Sequence, residues 1–141
     1  MKVIPMADES MPLVTVGICT YNRADGFFPA ALRSALDQTY PELEIVVSNN
    51  HSTDHTEEVV KDFDDPRIRY AKQKENIGPG NNFNACLAEA RGEYFLLLHD
   101  DDLIDPDMVE VCMEAAGGDT SVGVIRTGTR VIDGSGEIRS I

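Results

Sequence analysis

Three short apolar runs, LVTVGI (13–18), LEIVVS (43–48) and EYFLLL (93–98), each pass directly into a polar loop. Runs of this length without polar alternation suit strands buried on both faces, which occur mainly in parallel sheets covered by helices. The residues between them supply the helices. From Asp25, the residues Phe28, Ala31, Leu32, Ala35 and Leu36 recur at helical spacing, predicting a helix to about Gln38 with Pro29 in its first turn. Asp54 and Glu57 have the spacing of a capping box at the start of a second helix. A more polar strand, RIRYAKQ (67–73), ends at the punctuation ENIGPGNN. A third helix then follows through Phe83, Leu87 and Ala90, with Gly92 as its stop.

EYFLLL is the most hydrophobic strand and is expected at the centre of the sheet. Asp105 and Pro106 have the N-cap and N1 chemistry of a fourth helix, carried by 108–116. SVGVIRTGTRVID (121–133) reads as a strand, GSG as a turn and EIRSI as a returning strand. The fold class is therefore α/β: an open, mostly parallel, Rossmann-like sheet with helices on both faces and right-handed crossovers. One domain over 13–141 accounts for the chain, with 1–12 as a disordered lead-in. Ligands of such sheets bind outside the carboxyl ends of the strands, so the loops after the first, second and EYFLLL strands are the candidates.

Composition narrows the function classes. Twenty-five acids against 12 bases give a net charge of −13, which excludes general nucleic-acid binding through bulk charge. The three cysteines, Cys19, Cys86 and Cys112, form no C-x-x-C pair and suggest neither a disulfide framework nor a zinc knuckle, so a reducing cytoplasm is the default. They read as small apolar fillers. No run is long enough to cross a membrane, and the first 14 residues lack the apolar core of a signal peptide. Between Gly92 and Ile125, nine acids face no Lys or Arg, so this region attracts cations.

The acidic triplet Asp100, Asp101 and Asp102 offers the hard oxygen ligands that Mg²⁺ or Mn²⁺ prefers, with substrate phosphates completing the shell. A solvated loop ahead of a helix N-terminus explains the same residues. An EF-hand is excluded, because the positions that need Gly and Glu hold Asp105 and Val111. His99 has no second soft ligand nearby for zinc. In CTYNR, Tyr21 lies beside Thr20 and Asn22, a set able to stack on a base and bond its edge, or simply to form a turn. Arg23 is a candidate phosphate contact. Asn49 and Asn50 can read a pyrimidine edge or form an Asx-turn, and His51 and His55 read as loop and helix-surface residues. NIGPGNN lacks both the Walker ending and the G-x-G-x-x-G spacing, which leaves Gly78 and Gly80 as turn formers. Phe83 and Leu87 read as core.

Taken in order, VTVGICTYNR, EIVVSNNHSTD and NIGPGNNFNACLAEARGEYFLLLHDDDLIDPD resemble the inverting family-two glycosyltransferases of the glycosyltransferase A fold. The resemblance covers nearly the whole chain from Met11. It implies a nucleoside-diphosphate sugar donor, UDP- or dTDP-linked, a saccharide or lipid-linked acceptor, and a Mg²⁺ or Mn²⁺ cofactor. By the same resemblance Thr20, Tyr21, Asn22, Arg23 and Asn50 form the nucleotide contact and Asp100 lies near the ribose or metal. Asp101 ligates the metal, and Asp102 reaches metal-bound water or a nearby basic group. The chain departs from the family's usual residues in four places, one of them His51, where Gly is usual. Asn49 stands where a carboxylate is usual, His99 where the D-x-D region begins with Asp, and Phe83 where the third helix commonly has Arg.

The implied activity is hexosyltransferase-type, metal-dependent and inverting, in cell-surface polysaccharide synthesis. The implied setting is the cytoplasm, at the inner face of the membrane through segments outside these residues. The general base and the acceptor-binding part are expected beyond Ile141, making this chain the donor-binding half. The alternative is a non-catalytic nucleotide-sugar-binding or interaction module of the same fold. A nucleotidyltransferase ranks last, since only Arg23 and Gly26 stand in for its Gly-rich basic loop.

Overall fold

The structure, a computed structural model, describes residues 11–140. The lead-in expected over 1–12 therefore lies, for 1–10, outside the described residues. In chain order the elements are β1 (Val14–Thr20), α1 (Phe28–Leu36), β2 (Leu43–Asn49), α2 (Thr56–Asp62), β3 (Ile68–Lys72), α3 (Pro79–Glu89) and β4 (Tyr94–His99). They are followed by α4 (Met108–Ala116), β5 (Val131–Ile132) and β6 (Ile138–Ser140). The first four strands form a parallel sheet in the order β3-β2-β1-β4, and β5 and β6 form a separate antiparallel pair.

Every residue of β1 and β2 is buried, which explains why their sequences show no polar alternation. One face carries the main core: Val14, Val16 and Ile18 of β1 and Leu43, Ile45 and Val47 of β2 pack on Phe28, Leu32, Ala35 and Leu36 of α1. Val60 of α2 and Val109 of α4 join the same cluster. The opposite face is thinner, with Cys19, Val46 and Cys86 under Phe83, Phe95 and Leu97, so α3 covers it alone among the described residues. Helices thus lie on both faces.

Several local expectations change. β4 sits at an edge of the described sheet, not at its centre, and four of its six residues are only half-buried. Its apolar content reflects the helices on its two faces rather than strands on both sides. The buried face of α3 is Asn82 and Cys86, while Leu87 is 52% exposed. The cause is close packing: a Cβ on Gly17 would lie 2.5 Å from the Phe95 ring and 2.8 Å from Cys86 Sγ, so small residues let α3 settle on β1. Gly92 does not stop the helix, which ends at Ala90 in an extended conformation. It is needed because a Cβ there would lie 2.6 Å from the Thr15 amide and 2.8 Å from the Leu13 carbonyl.

The capping box at Asp54 and Glu57 does not form. Asp54 accepts from the Thr56 amide at 3.1 Å and hydroxyl, and from the Ala24 amide at 3.0 Å, while Glu57 pairs with Lys61 at 2.7 Å. The fourth helix starts two residues later than Pro106, because the Asp105 and Pro106 carbonyls are engaged by Gln38 and Thr39. The strand expected over 121–133 shrinks to β5, and 121–130 has no strand pairing.

Candidate functional site

The chain builds β1, β2 and β3 outward in one direction, then crosses back under α3 to place β4 on the other side of β1. Strand order therefore reverses between β1 and β4, and at such a switch point the loops diverge and leave a crevice. Residue pairing continues to Cys19 and His99, after which the two chains separate. A cleft of about 290 Å³ opens there. The loop after β1, Asn50 after β2, the approach to α3 and the end of β4 all contribute to it.

Thr20 is only 2% exposed, and its hydroxyl is buried with no hydrogen-bond partner among the described residues. A buried unsatisfied hydroxyl is costly, and a ligand group entering the cleft would complete it. Asp100 is half-buried beside it. Burial pushes the Asp100 carboxyl above the usual range and the Asp101 charge adds to this, while the Thr20 hydroxyl, near enough to favour the charge without the geometry of a hydrogen bond, and the Arg23 guanidinium pull the other way. An arriving cation would favour its ionised form. Among the described residues Arg23 is the one Lys or Arg lining the cleft, and Tyr21, 44% exposed, stands at its mouth.

The two asparagine loops have a different character. Asn22 adopts φ 52°, a left-handed conformation that Asn tolerates. Its amide donates to Ser52 Oγ at 2.9 Å and its side-chain oxygen accepts from the Thr53 amide at 2.8 Å. It ties the first loop to the second. Asn49 is fully buried, donating to the Tyr70 hydroxyl and accepting from the Ser52 amide, so its amide is structural. Asn50 donates to Asn76 Oδ1 at 2.9 Å and accepts from the Ile77 amide at 2.9 Å. The Gly78 amide also donates to Asn76 Oδ1. These bonds orient both side-chain amides and leave the Asn76 Nδ2 group without a partner among the described residues.

Asn76, Asn82, Phe83 and His99 are cleft residues that sequence reading did not place there. Asn82 is bolted to the end of β2, exchanging bonds with Ser48 at 2.8 and 3.0 Å. In the sequence Asn82 lies beside the face expected through Phe83, Leu87 and Ala90, and no local pattern marks it. Phe83, read as core, lines the cleft and meets the His99 ring edge-on with centroids 5.7 Å apart. Nothing in the local sequence pairs Asn76 with Asn50 or Phe83 with His99. His51 and His55 are exposed, with His55 3.2 Å from Asp25. Cys19 is held as the neutral thiol by neighbouring Cys86 and by burial, which removes it as a nucleophile.

Asp101 and Asp102 are exposed on the loop after β4. Among the described residues no three His, Cys, Asp or Glu side chains converge on one point. Asp101 and Asp102 are hard oxygen donors of the kind Mg²⁺ or Mn²⁺ takes, ions commonly held by one or two carboxylates with phosphates and water. A larger groove of about 550 Å³ runs along the open edge of β4 beside Met108, Met113 and Val124. Its lining side chains are mostly apolar, with Glu93 among them, and it contains none of the loop carboxylates.

The sheet order, the crevice at its reversal and the acid-edged loop after β4 define an open α/β protein of the glycosyltransferase A class, and its structural neighbours have that fold. Residues 15–140 match glycosyl transferase family 2, and the chain belongs to that family. It is 34% identical to a chondroitin synthase of Escherichia coli over 94% of this chain and 19% of that one. It is 37% identical to the succinoglycan biosynthesis protein ExoO of Rhizobium meliloti over 79% of this chain and 32% of that one. Staphylococcus aureus TarS in complex with UDP-GlcNAc superposes with a TM-score of 0.70 at 28% identity, covering 74% of this chain and 31% of that one. A mannosyltransferase of Pyrobaculum calidifontis, in complex with GDP-Man and Mn²⁺, gives 0.71 at 29%, covering 81% and 34%. The chain thus spans about a third or less of the length of each of these proteins. Among the described residues no helix is long and apolar enough to cross a membrane.

Proposed function

We propose that this chain is the donor-binding part of a metal-dependent inverting glycosyltransferase acting on a nucleoside-diphosphate sugar. The observation that carries the reading is the switch-point cleft, where an unpartnered buried hydroxyl, a carboxyl raised by burial and a single guanidinium meet. Tyr21 stacks on the base, and Asn50, oriented by Asn76 and Ile77, bonds its edge. Thr20 and Asp100 hold the ribose side, and Arg23 meets the diphosphate. Asp101 and Asp102 hold Mg²⁺ or Mn²⁺, which supplies Lewis acidity to the departing diphosphate. The structural neighbours bound to UDP-GlcNAc and to GDP-Man with Mn²⁺ support this donor class.

In the reaction an acceptor hydroxyl oxygen bonds to the anomeric carbon from the face opposite the diphosphate. The bond from that carbon to the phosphate oxygen breaks, and the hydroxyl proton passes to a general base. Inversion follows from that single displacement. The kinship with the succinoglycan biosynthesis protein ExoO and with chondroitin synthase supports polysaccharide synthesis; a saccharide or lipid-linked acceptor and a cytoplasmic setting at the inner face of the membrane belong to the same proposal.

Calorimetry tests the reading. UDP or dTDP binds with Mn²⁺ present and about tenfold or more weakly without it, and Asp101→Ala removes the difference. Absence of binding to UDP, dTDP and GDP with either metal overturns it.

A further inference from the structure

The acidic loop is short of bonds of its own. Among the described residues one backbone–backbone hydrogen bond involves an amide between Asp100 and Leu103, from the Asp102 amide to the His99 carbonyl at 3.1 Å. Its near end is fixed by the β1–β4 ladder, which reaches Cys19 and His99. Its far end is fixed by a helix from elsewhere in the chain. Gln38, just past the end of α1, is only 6% exposed, and its side chain makes three bonds. Nε2 donates to the Ser34 carbonyl at 3.2 Å and to the Asp105 carbonyl at 2.7 Å, and Oε1 accepts from the Val109 amide at 3.0 Å. Around it, the Thr39 amide donates to the Pro106 carbonyl at 2.8 Å, the Thr39 hydroxyl donates to Glu110, and the Ile104 amide donates to Ser34 Oγ at 3.4 Å.

We infer that Gln38 is a positioning residue for the acidic loop. The turn after α1 clamps the segment from Ile104 to Glu110, so Asp101 and Asp102, exposed and lightly bonded themselves, are delivered to the cleft edge from two fixed ends. The role given to these acids rests on the functional reading above. The clamp rests on the geometry alone. An amide is the residue type required, because one end donates to two carbonyls while the other accepts from a backbone N–H. A buried carboxylate would face two carbonyls, and an apolar side chain would take away the donor to the Ser34 and Asp105 carbonyls and the acceptor for the Val109 amide.

The test compares Gln38→Met, similar in length but without the amide, with the wild-type chain in two measurements. In metal-free protein, amide hydrogen exchange at 100–104 is faster in the variant while exchange in β1 and β2 is unchanged. In calorimetry the factor by which Mn²⁺ strengthens UDP binding falls by about tenfold, with metal-free UDP affinity unchanged. A folded Gln38→Met chain with wild-type exchange at 100–104 overturns the inference. So does an equal loss of affinity with and without Mn²⁺, which marks a merely structural role. Should Gln38→Met fail to fold, Ser34→Ala, which removes the acceptor for the Ile104 amide together with a hydroxyl bond to the Ala31 carbonyl inside α1, must show the same faster exchange at 100–104, and wild-type exchange there overturns the inference. A wild-type chain whose UDP affinity ignores Mn²⁺ overturns the functional reading, and exchange at 100–104 then decides the clamp.

Discussion

Asp100 and Asp101 are neighbours in the chain and differ sharply in environment: one is half-buried beside Thr20, the other lies in solvent. Burial raises the Asp100 carboxyl, so its favourable contribution to folding is complete at low pH and is lost as pH rises through the folded value. At pH 7, Asp100→Asn is expected to raise the melting temperature of the metal-free protein and to weaken UDP binding in the presence of Mn²⁺. Melting curves with and without the ligand check both. Thr20→Val removes a buried hydroxyl that has no partner. The variant should be as stable as wild type or up to about 1 kcal/mol more so by urea unfolding, yet bind UDP about tenfold more weakly. If it binds as well as wild type, Thr20 does not touch the nucleotide. These environments were not legible in a triplet of acids or in CTYNR, because burial is set by what other segments place alongside.

Among the elements, the buried strands were the most readable, since double-sided burial removes the need for polar positions and leaves a pattern of five or six residues. Helix faces were read well where a helix covers a wide apolar surface, as α1 does, and poorly in α3, where contact is made through Gly17, Asn82 and Cys86. Gly92 illustrates the difference. Position and type suggested a helix stop, but the requirement comes from the β1 backbone 77 residues earlier, whose Thr15 hydroxyl accepts from the Gly92 amide at 2.9 Å. Gly92→Ala should destabilise the chain by about 2 kcal/mol in urea unfolding. Leu87→Lys, on the exposed face of α3, should change stability by less than about 0.5 kcal/mol.

For the whole molecule, charge and acid sensitivity follow from a few anchored carboxylates. Burial alone would raise Glu44, but the Thr15 hydroxyl at 2.6 Å, the Arg91 amide at 2.7 Å and Arg69 hold it below its usual range. Asp65, against Arg67, and Asp54, against burial but bonded to Thr56 and Ala24, are also held low. Each binds fewer protons folded than unfolded, so the stability it contributes is complete above the ordinary carboxylate range and is lost as pH falls through the folded value. Urea midpoints should fall steeply below about pH 4, and Glu44→Gln should flatten that fall. With a net charge of −13, added salt should raise the midpoint at pH 7. By itself the sequence determined the α/β class, the four strands of the parallel sheet and most helices, the loops that face the cleft, and the family resemblance, because hydrophobic period, turn chemistry and ordered motifs are local properties. Only the tertiary structure decided that β4 lies at an edge, that Asn49 and Asn22 hold the loops together, that Asn76 faces Asn50, and that Gln38 secures the acidic loop. Each of those depends on two segments far apart in sequence meeting in space, and an unsatisfied or completed hydrogen bond exists only once both are in place.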